Sequence, residues 1–230
     1  MFFVFRKNVI IGLLLAILVS GILVISAMPT DITTAGLNPE IIVVDAGHGG
    51  MDGGGVGIDG TPEKDLNLQI AKKLEAVLTQ NGYRVVMTRC EDVSLHEEGK
   101  TTVRSQKNSD LKKRANIANS EKAILFVSIH MNKYESPDVK GAQVFYRKND
   151  PTGAQYAGSI MTELKKIDSK NHRMEKPLPN KNLTFSKLQI PGVLVECGFI
   201  SNEEELQKLK DETYQQKLVE GIVSGIKNIP

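Results

Sequence analysis

The chain has 230 residues, of which 40% are hydrophobic and 24% are charged, and its formal net charge is only +2. These values are typical of an ordinary globular protein, and the length suffices for one domain with a complete hydrophobic core. The small net charge, and lysines that are scattered rather than interleaved with aromatic residues, argue against a nucleic-acid partner.

The amino-terminal segment predicts a location outside the cytoplasm. Arg6 and Lys7 precede an uncharged, mostly apolar run from Val9 to Met28, which at about 20 residues is long enough to span a membrane. Positive charge before such a run predicts that the remaining chain is translocated. We therefore interpret residues 1–28 as a signal or membrane-anchor segment, with a buried helix as the alternative. Residues 29–40 are then a polar linker, and residues 41–230 form the folded domain.

Residues 41–54 (IIVVDAGHGGMDGG) predict a buried strand followed by a glycine-rich loop. The β-branched run from Ile41 to Val44 leads directly into Asp45 and His48. Ligands of open α/β sheets bind at the carboxyl ends of the strands, and glycines allow the backbone to turn sharply there. His48 is therefore a candidate functional residue.

The next segments predict a βαβ unit. Thr61 as a capping hydroxyl, Pro62 at the first helical position and Glu63 in the first turn predict the start of a helix. Apolar side chains then recur at helical spacing from Leu66 to Leu78, and Asn81-Gly82 is predicted to end the helix. Residues 83–88 predict a second strand, parallel to the first.

The rest of the chain continues the alternation of strands and helices. We predict strands at 123–129, 141–146, 183–188 and 192–195, helices at 110–120, 152–168, 202–210 and 212–228, and polar loops at 90–110 and 169–182. A loop as long as the first of these is usually functional or mobile. The pattern predicts an α/β fold with helices on both faces of the sheet.

Polar groups follow three predicted strands, at His48, His130 and Glu196, and Glu63 begins the first helix. Two imidazoles and one carboxylate form a ligand set for catalytic zinc, and a further carboxylate can accept a proton. This inventory predicts metal-assisted hydrolysis. Each residue alone has an ordinary alternative, since a histidine after a strand is more often a loop residue and Glu63 could complement a helix dipole. Glu196 is harder to dismiss, because an unpaired buried carboxylate is costly.

Three further polar residues are less specific. Asp45 is interpreted either as a partner that orients a histidine or as a turn-forming aspartate. His96 and His172 lie in polar segments and are expected to be solvated.

The two cysteines, Cys90 and Cys197, form neither a metal-finger nor a redox spacing. A disulfide requires Cα atoms within about 7 Å. Cys197 directly follows Glu196, so a catalytic thiol is a second possibility, and a structural cysteine is the most common case.

Six sequence blocks occur in order, namely DAGHGGMDGG (45–54), PEKDLNL (62–68), TR (88–89), RANIAN (114–119), SIHMN (128–132) and VECGFISN (195–202). Together they resemble the zinc-dependent N-acetylmuramoyl-L-alanine amidases. The resemblance implies a single α/β domain with a six-stranded, mixed, mostly parallel sheet. It also implies hydrolysis of the amide between the lactyl group of N-acetylmuramic acid and L-alanine in peptidoglycan.

The same resemblance implies roles for particular residues. The implied zinc ligands are His48, Glu63 and His130. Glu196 would be the general base that polarises water and later passes a proton to the leaving amine. Arg114 and Asn132, which lie in matching blocks, would be structural or would orient the substrate.

The N-terminal hydrophobic segment and residues 94–119 are similar to those of the germination-specific amidases of spore-forming bacteria. This similarity implies action on the glycan strands and stem peptides of spore-cortex peptidoglycan, as a step towards muramic-δ-lactam. A protein activator is a possible partner. Some members of the wider family carry a helix that blocks the site, but residues 147–182 contain only one clear helical pattern. Cys90 is a departure, because aspartate commonly follows TR.

Two other functions stay open at this point. One is a wall-binding protein that has lost activity, against which the presence of Glu196 argues. The other is a zinc peptidase that cuts within the stem peptide, and only the family resemblance separates it from an amidase.

Overall fold

The structure is a computed structural model that describes residues 39–179 and 182–229. The predicted anchor at 1–28 lies outside these residues, as does most of the predicted linker. Within the described ranges, no helix is long and apolar enough to cross a membrane.

Six strands of the described chain form one mixed sheet. They are β1 (Ile41–Ala46), β2 (Arg84–Met87), β3 (Leu125–Asn132), β4 (Gln143–Tyr146), β5 (Lys176–Pro177) and β6 (Gly192–Phe199). Their spatial order is β2-β1-β3-β6-β4-β5. Every neighbouring pair is parallel except β4 and β6, which are antiparallel. The predicted six-stranded, mostly parallel sheet is therefore confirmed.

Helices pack on both faces of this sheet, as predicted. They are α1 (Glu63–Gln80), α2 (Val103–Ser120), α3 (Pro151–Ile167), α4 (Leu183–Lys187), α5 (Glu203–Lys210) and α6 (Glu212–Lys227). We call the side packed by α1, α3 and α6 the broad face, because it carries the larger apolar core. The side packed by α2 and α4 is the narrow face, with a smaller core.

Side chains of the central strands alternate between these two faces, as the pleat of a strand requires. On β1, Ile42 and Val44 belong to the broad core, whereas Val43 belongs to the narrow one. Val127 and Ile129 of β3 and Val193 and Val195 of β6 join the broad core, whereas Phe126 and Leu194 join the narrow one. The same alternation directs four polar side chains to the narrow face, namely those of Asp45, Ser128, His130 and Glu196.

Two predicted elements differ from the structure on the narrow face. The predicted strand at 183–188 is wrong, because these residues form helix α4, which is capped by Asn182. Helix α2 begins at Val103 rather than at 110, because Thr102 and Ser105 form a capping box. The predicted loop at 90–110 is correspondingly shorter.

Smaller differences concern the ends of elements. Helix α1 has Pro62 at its N-cap without a side-chain cap, so the capping role predicted for Thr61 is wrong. The short strand β5 lies within the predicted loop at 169–182. Strands β3 and β6 continue past His130 and Glu196, so both residues lie within strands rather than after them.

Candidate metal centre

Except for Asn132, the predicted site residues meet at the carboxyl ends of β1, β3 and β6, on the narrow face of the sheet. A cavity of about 170 Å³ opens there between the sheet and the helices α2 and α4. Its lining includes His48, His130, Arg114 and Phe185. A larger hollow of about 330 Å³ adjoins it through Asn182 and Phe185 but is lined by none of the predicted site residues.

His48 occupies a sharp turn directly after β1. Its φ is +62°, a left-handed conformation that typically costs a non-glycine residue about 1–3 kcal/mol at a functional site. Paired backbone hydrogen bonds between Gly49 and Asp52, of 2.9 and 3.1 Å, close the turn. The His48 Nδ1 atom lies 3.0 Å from Oδ2 of Asp52, an ion-pair distance with poor hydrogen-bond geometry. The turn therefore directs Nε2 inward.

Glu63 is the first residue of α1, and only 4% of its surface is exposed. Its Oε1 lies 3.3 Å from Nε2 of His48 and 3.0 Å from Nδ1 of His130. The backbone N–H groups of Gly55 and Met131 donate to its two oxygens at 2.8 and 3.1 Å. Burial alone would raise the pKa of Glu63, but the contacts with both histidines hold it well below its usual range.

Burial and the neighbouring carboxylates shift the pKa of His48 in opposite directions. Burial disfavours the imidazolium form, but the carboxylates of Glu63 and Asp52 outweigh it and raise the pKa of His48. The ring lies edge-on to that of His130, with the two centroids 5.0 Å apart. The two imidazoles and the Glu63 carboxylate thus form one contiguous cluster.

His130 and Glu196 are neighbours because of the sheet register. They are directly paired residues on the parallel strands β3 and β6, so their side chains leave the same face side by side. Glu196 is half-buried, and its Oε2 is shielded from solvent without a hydrogen-bond partner among the described residues. Burial raises the pKa of Glu196 to about 7, with Glu63 adding to the effect and both histidines opposing it.

The cluster fits a metal ion by the chemistry of its donors. One ligand atom from each of His48, Glu63 and His130 lies within 4.8 Å of the other two. Two imidazole nitrogens and one carboxylate oxygen form a donor set that suits Zn²⁺ and leaves a fourth position open. Glu196, which is paired in register with His130, adds a carboxylate oxygen without a hydrogen-bond partner among the described residues beside this donor set.

Asp45 and Arg114 form a buried ion pair behind the cluster. Their Oδ1 and Nη1 atoms are 2.6 Å apart, and Thr88 and Ser128 donate to the same carboxylate at 2.7 and 2.6 Å. Desolvation would raise the pKa of Asp45, but Arg114 and the two hydroxyls lower it. Asp45 therefore contacts Arg114 instead of a histidine ring, and Arg114 in turn donates to the backbone oxygen of His48 at 2.6 Å.

Asn132 stands apart from the cluster. Its side-chain oxygen accepts a hydrogen bond from the backbone of Lys133, and its backbone oxygen accepts one from Ile200. These contacts support the connection after β3. His172 is exposed, as predicted, whereas His96 is half-buried and lies 2.7 Å from the Ser94 hydroxyl.

Both cysteines are free, so no disulfide joins them. Cys90 is exposed, whereas Cys197 is fully buried on the broad face, opposite to Glu196. Burial raises the pKa of the Cys197 thiol, with Glu196 and Glu63 adding to the effect. This argues against a catalytic thiol and for a structural cysteine.

Asp52 is a site residue that the sequence did not reveal. Besides facing His48, its Oδ2 lies 3.1 Å from Nζ of Lys107 on α2. A carboxylate that accepts a hydrogen bond from the outer nitrogen of a metal-binding histidine fixes the tautomer and orientation of the ring, and Asp52 lies at the distance from which it could do so. The available signal was the acidic residue four positions after His48, but the sequence does not disclose which ring nitrogen points outward.

Known proteins are similar to this chain in sequence and in fold. The profile of the N-acetylmuramoyl-L-alanine amidase family matches residues 42–228. The germination-specific N-acetylmuramoyl-L-alanine amidase of Bacillus subtilis is 36% identical over 190 residues, which cover 83% of this chain and 79% of that protein.

Solved structures agree with the sequence comparison. The CwlD amidase from Clostridioides difficile, solved in complex with the GerS lipoprotein, is 42% identical with a TM-score of 0.79, and the match covers 82% of this chain and 97% of that one. The catalytic domain of CwlV from Bacillus (Paenibacillus) polymyxa is 31% identical with a TM-score of 0.70, over 82% and 97% of the two chains. The chain therefore belongs to the N-acetylmuramoyl-L-alanine amidase family, whose enzymes act on peptidoglycan.

Proposed function

We propose that His48, Glu63 and His130 bind Zn²⁺ and that the enzyme hydrolyses the amide between the lactyl group of N-acetylmuramic acid and L-alanine. The observation that carries this proposal is the approach of three ligand atoms to within 4.8 Å of one another. The adjacent Glu196, in register with His130, adds the proton acceptor that hydrolysis needs.

Bound Zn²⁺ would act as a Lewis acid that polarises the scissile carbonyl and increases the acidity of water. Glu196 accepts a proton from the attacking water as its oxygen forms a bond to the carbonyl carbon. When the C–N bond breaks, Glu196 returns that proton to the leaving nitrogen. The products are the lactyl carboxylate and a peptide with a free L-alanine amino group.

Contacts behind the ligands support this assignment of roles. Asn67 donates from Nδ2 to Glu63 Oε1 at 3.2 Å, and Gly55 donates to Oε2 at 2.8 Å. Asp52 faces the outer nitrogen of His48. Partners of this kind orient metal ligands in known metalloenzymes.

The substrate is proposed to be spore-cortex peptidoglycan. The Bacillus subtilis relative is described as germination-specific, and removal of stem peptides would leave the muramic acid that a later step converts to muramic-δ-lactam. A protein activator is proposed by analogy with the Clostridioides difficile relative, which was solved with a lipoprotein.

The proposed location is outside the cytoplasm, where peptidoglycan lies. Residues 1–28 would serve as the signal or membrane anchor and residues 29–40 as the linker to a catalytic domain at 41–230. The apolar run after Arg6 and Lys7 supports this arrangement.

Mass spectrometry of purified spore-cortex peptidoglycan, incubated with the full chain and Zn²⁺, tests the reaction. Glu196→Gln should retain bound metal and lose activity by about 10²–10⁴-fold, whereas Glu203→Gln, at an exposed position, should match the wild type. Peptides beginning with L-alanine, from the wild type only, are the expected products. Fragments cut within the stem would indicate a peptidase, and a zinc-loaded but inactive wild type would indicate a binding protein or a missing activator.

Metal analysis of histidine variants tests the ligands separately from turnover. His48→Ala and His130→Ala should both lower the zinc content of the purified protein, and His172→Ala, at an exposed loop position, should leave it unchanged. Full zinc occupancy in both ligand variants would contradict the proposed centre.

A further inference from the structure

Arg89 is a buried cation directly after strand β2, and it is only 3% exposed. Among the residues that the structure describes, all of its hydrogen bonds go to backbone carbonyls. It donates to the oxygens of Ala46, Gly47, Lys64 and Glu91 at 2.8, 3.0, 2.9 and 3.0 Å. A buried guanidinium without a bonded carboxylate is unfavourable, so this arrangement calls for a function that offsets its cost.

Three of the four carbonyls that Arg89 contacts flank two of the proposed zinc ligands. Ala46 and Gly47 immediately precede His48, and Lys64 immediately follows Glu63. One rigid guanidinium plane therefore joins the backbone that carries His48 to the first turn of α1, which carries Glu63. A planar fork with several donors can fix the relative position of two segments, which a single ammonium nitrogen cannot do.

The glycine loop itself packs against Arg89. A Cβ atom at Gly49 would lie 2.9 Å from both Cδ and Nε of Arg89, so the loop and the guanidinium are in direct contact. Asn67 reinforces the same connection, because its Nδ2 donates to the oxygen of Gly47 at 3.1 Å and to Oε1 of Glu63 at 3.2 Å.

Arg114 provides an internal contrast. It also contacts the oxygen of Ala46, at 2.8 Å, but it is paired with the carboxylates of Asp45 and Asp110, each at 2.6 Å. Arg114 thus has directly bonded carboxylates that explain a buried cation, whereas Arg89 has none among the residues that the structure describes. Burial and the nearby Arg114 lower the pKa of Arg89, and the carboxylates of Asp45, Asp92 and Asp110, which are not hydrogen-bonded to it, oppose this shift.

We infer that Arg89 is a positioning residue that sets the distance between His48 and Glu63 for metal binding. This inference rests on the proposed zinc centre. It assigns to the arginine of the TR pair a role in metal affinity rather than in contact with substrate.

The test measures Zn²⁺ affinity by competition with a chromogenic chelator, using the full chain in mild detergent. Arg89→Ala and Arg89→Lys should each weaken Zn²⁺ binding by about 10–100-fold, the range for partners that orient metal ligands. The lysine variant keeps the charge but loses the fork. Arg84→Lys, on β2 with an exposed side chain that pairs with Glu121, should bind Zn²⁺ like the wild type.

The visible spectrum of the Co²⁺-substituted protein supplies a readout that a general loss of stability would not alter. At saturating Co²⁺, the spectrum of Arg89→Lys should differ from that of the wild type, because the ligands are displaced. Circular dichroism of the metal-free proteins reports whether each variant folds.

The outcomes separate this role from the proposed function. Folded Arg89 variants with wild-type affinity and spectrum would overturn the inference and leave the zinc centre intact. Failure of both variants to fold would also overturn it, because the guanidinium would then serve the fold as a whole. A folded wild type that binds no Zn²⁺ would contradict the metal centre itself.

Discussion

The same strands contribute apolar side chains to the broad face of the sheet and, near their carboxyl ends, polar side chains to the narrow face. On the broad face, alternate residues such as Ile42, Val127 and Val195 enter one continuous apolar core. On the narrow face, the intervening positions become polar towards the carboxyl ends of the strands, with Asp45, His130 and Glu196. The helices that cover the narrow face leave a cavity beside these polar groups.

This difference separates continuous apolar packing from the polar groups of the metal centre within a single layer of structure. The broad face can be packed without open space, because it carries no group that must meet a substrate. The narrow face keeps an opening, and the buried charges of Asp45, Arg114 and Glu63 are held by specific partners rather than by apolar packing. Substitutions in the apolar core of the broad face should therefore change stability without changing metal affinity, whereas substitutions among the polar groups of the narrow face can change either quantity.

The largest expected effect on stability comes from the ion pair behind the cluster. Asp45→Asn should lower the free energy of unfolding by about 3 kcal/mol, because it leaves part of the buried charge of Arg114 uncompensated. Glu121→Gln, which breaks the exposed pair with Arg84, should cost less than about 1 kcal/mol. Urea unfolding of the metal-free proteins at pH 7 measures both, and equal costs would contradict the distinction.

The same pair predicts a pH dependence. The pKa of Asp45 is lowered in the folded protein, so its contribution is complete above the unfolded value of about 3.9 and is lost as the pH falls through the folded pKa. The wild type should therefore lose more stability than Asp45→Asn as the pH is lowered from 5 to about 3. Parallel acid-unfolding curves for the two proteins would show that Asp45 makes no such contribution.

Gly47→Ala should act on metal binding. The added Cβ would lie 2.3 Å from Cε1 and Nε2 of His130, and the imidazole must move away from its place beside Glu63. We expect a loss of about 100-fold in Zn²⁺ affinity with little change in stability. Gly53→Ala is the matched control, because a Cβ at that position meets nothing within 4 Å. Calorimetric titration of Zn²⁺ compares the two variants, and similar affinities would contradict the proposed position of His130.

Gly225→Ala makes the equivalent change on the broad face. Its Cβ would lie 2.5 Å from the Cα of Ile160, so helices α3 and α6 must separate. Overpacking should outweigh the helical preference for alanine and leave a net loss of about 1–2 kcal/mol in unfolding free energy. Zn²⁺ affinity, measured in the same titration, should be unchanged, and a loss of affinity would show that the faces are coupled.

The smallest change in Zn²⁺ affinity is expected for Lys107, which is linked to His48 through Asp52. Lys107 is half-exposed and lies 3.1 Å from Asp52, so Lys107→Ala should change Zn²⁺ affinity by less than about fivefold. Lys113→Ala, at an exposed position of the same helix, serves as the control. Loss of affinity as large as that of Gly47→Ala would mean that Lys107 is essential for the orientation of His48.

Strong local patterns made most of the fold predictable from sequence. The β-branched run of β1 and the helical spacing of α1 each occupy enough residues to show their period. Helix α4 was mistaken for a strand because five residues, LTFSK, are too few to show either period. The start of α2 was missed because its first two turns are polar, although Thr102 and Ser105 carried a capping signal.

The residues of the site were easier to identify from the sequence than the contacts that they make. His48, Glu63, His130 and Glu196 stood out by residue type and by position relative to strands, and the family resemblance covered the same four. The partners of Asp45 and three of the four carbonyls of Arg89 depend on contacts between residues far apart in the chain. The approach of Asp52 to His48 depends on the conformation of the glycine-rich turn. Spacing along one strand or helix contains no information about such contacts.

The alternation of side chains along strand β3 limits how the sequence of this enzyme can change during evolution. Ile129 and Met131 face the broad core, and His130 between them faces the metal centre. Deleting or inserting one residue earlier in the strand would exchange these positions, placing an imidazole in the apolar core and an aliphatic side chain in the centre. Insertions and deletions should therefore be tolerated in the connecting loops but not within β1, β3 and β6, even at positions where single substitutions are accepted.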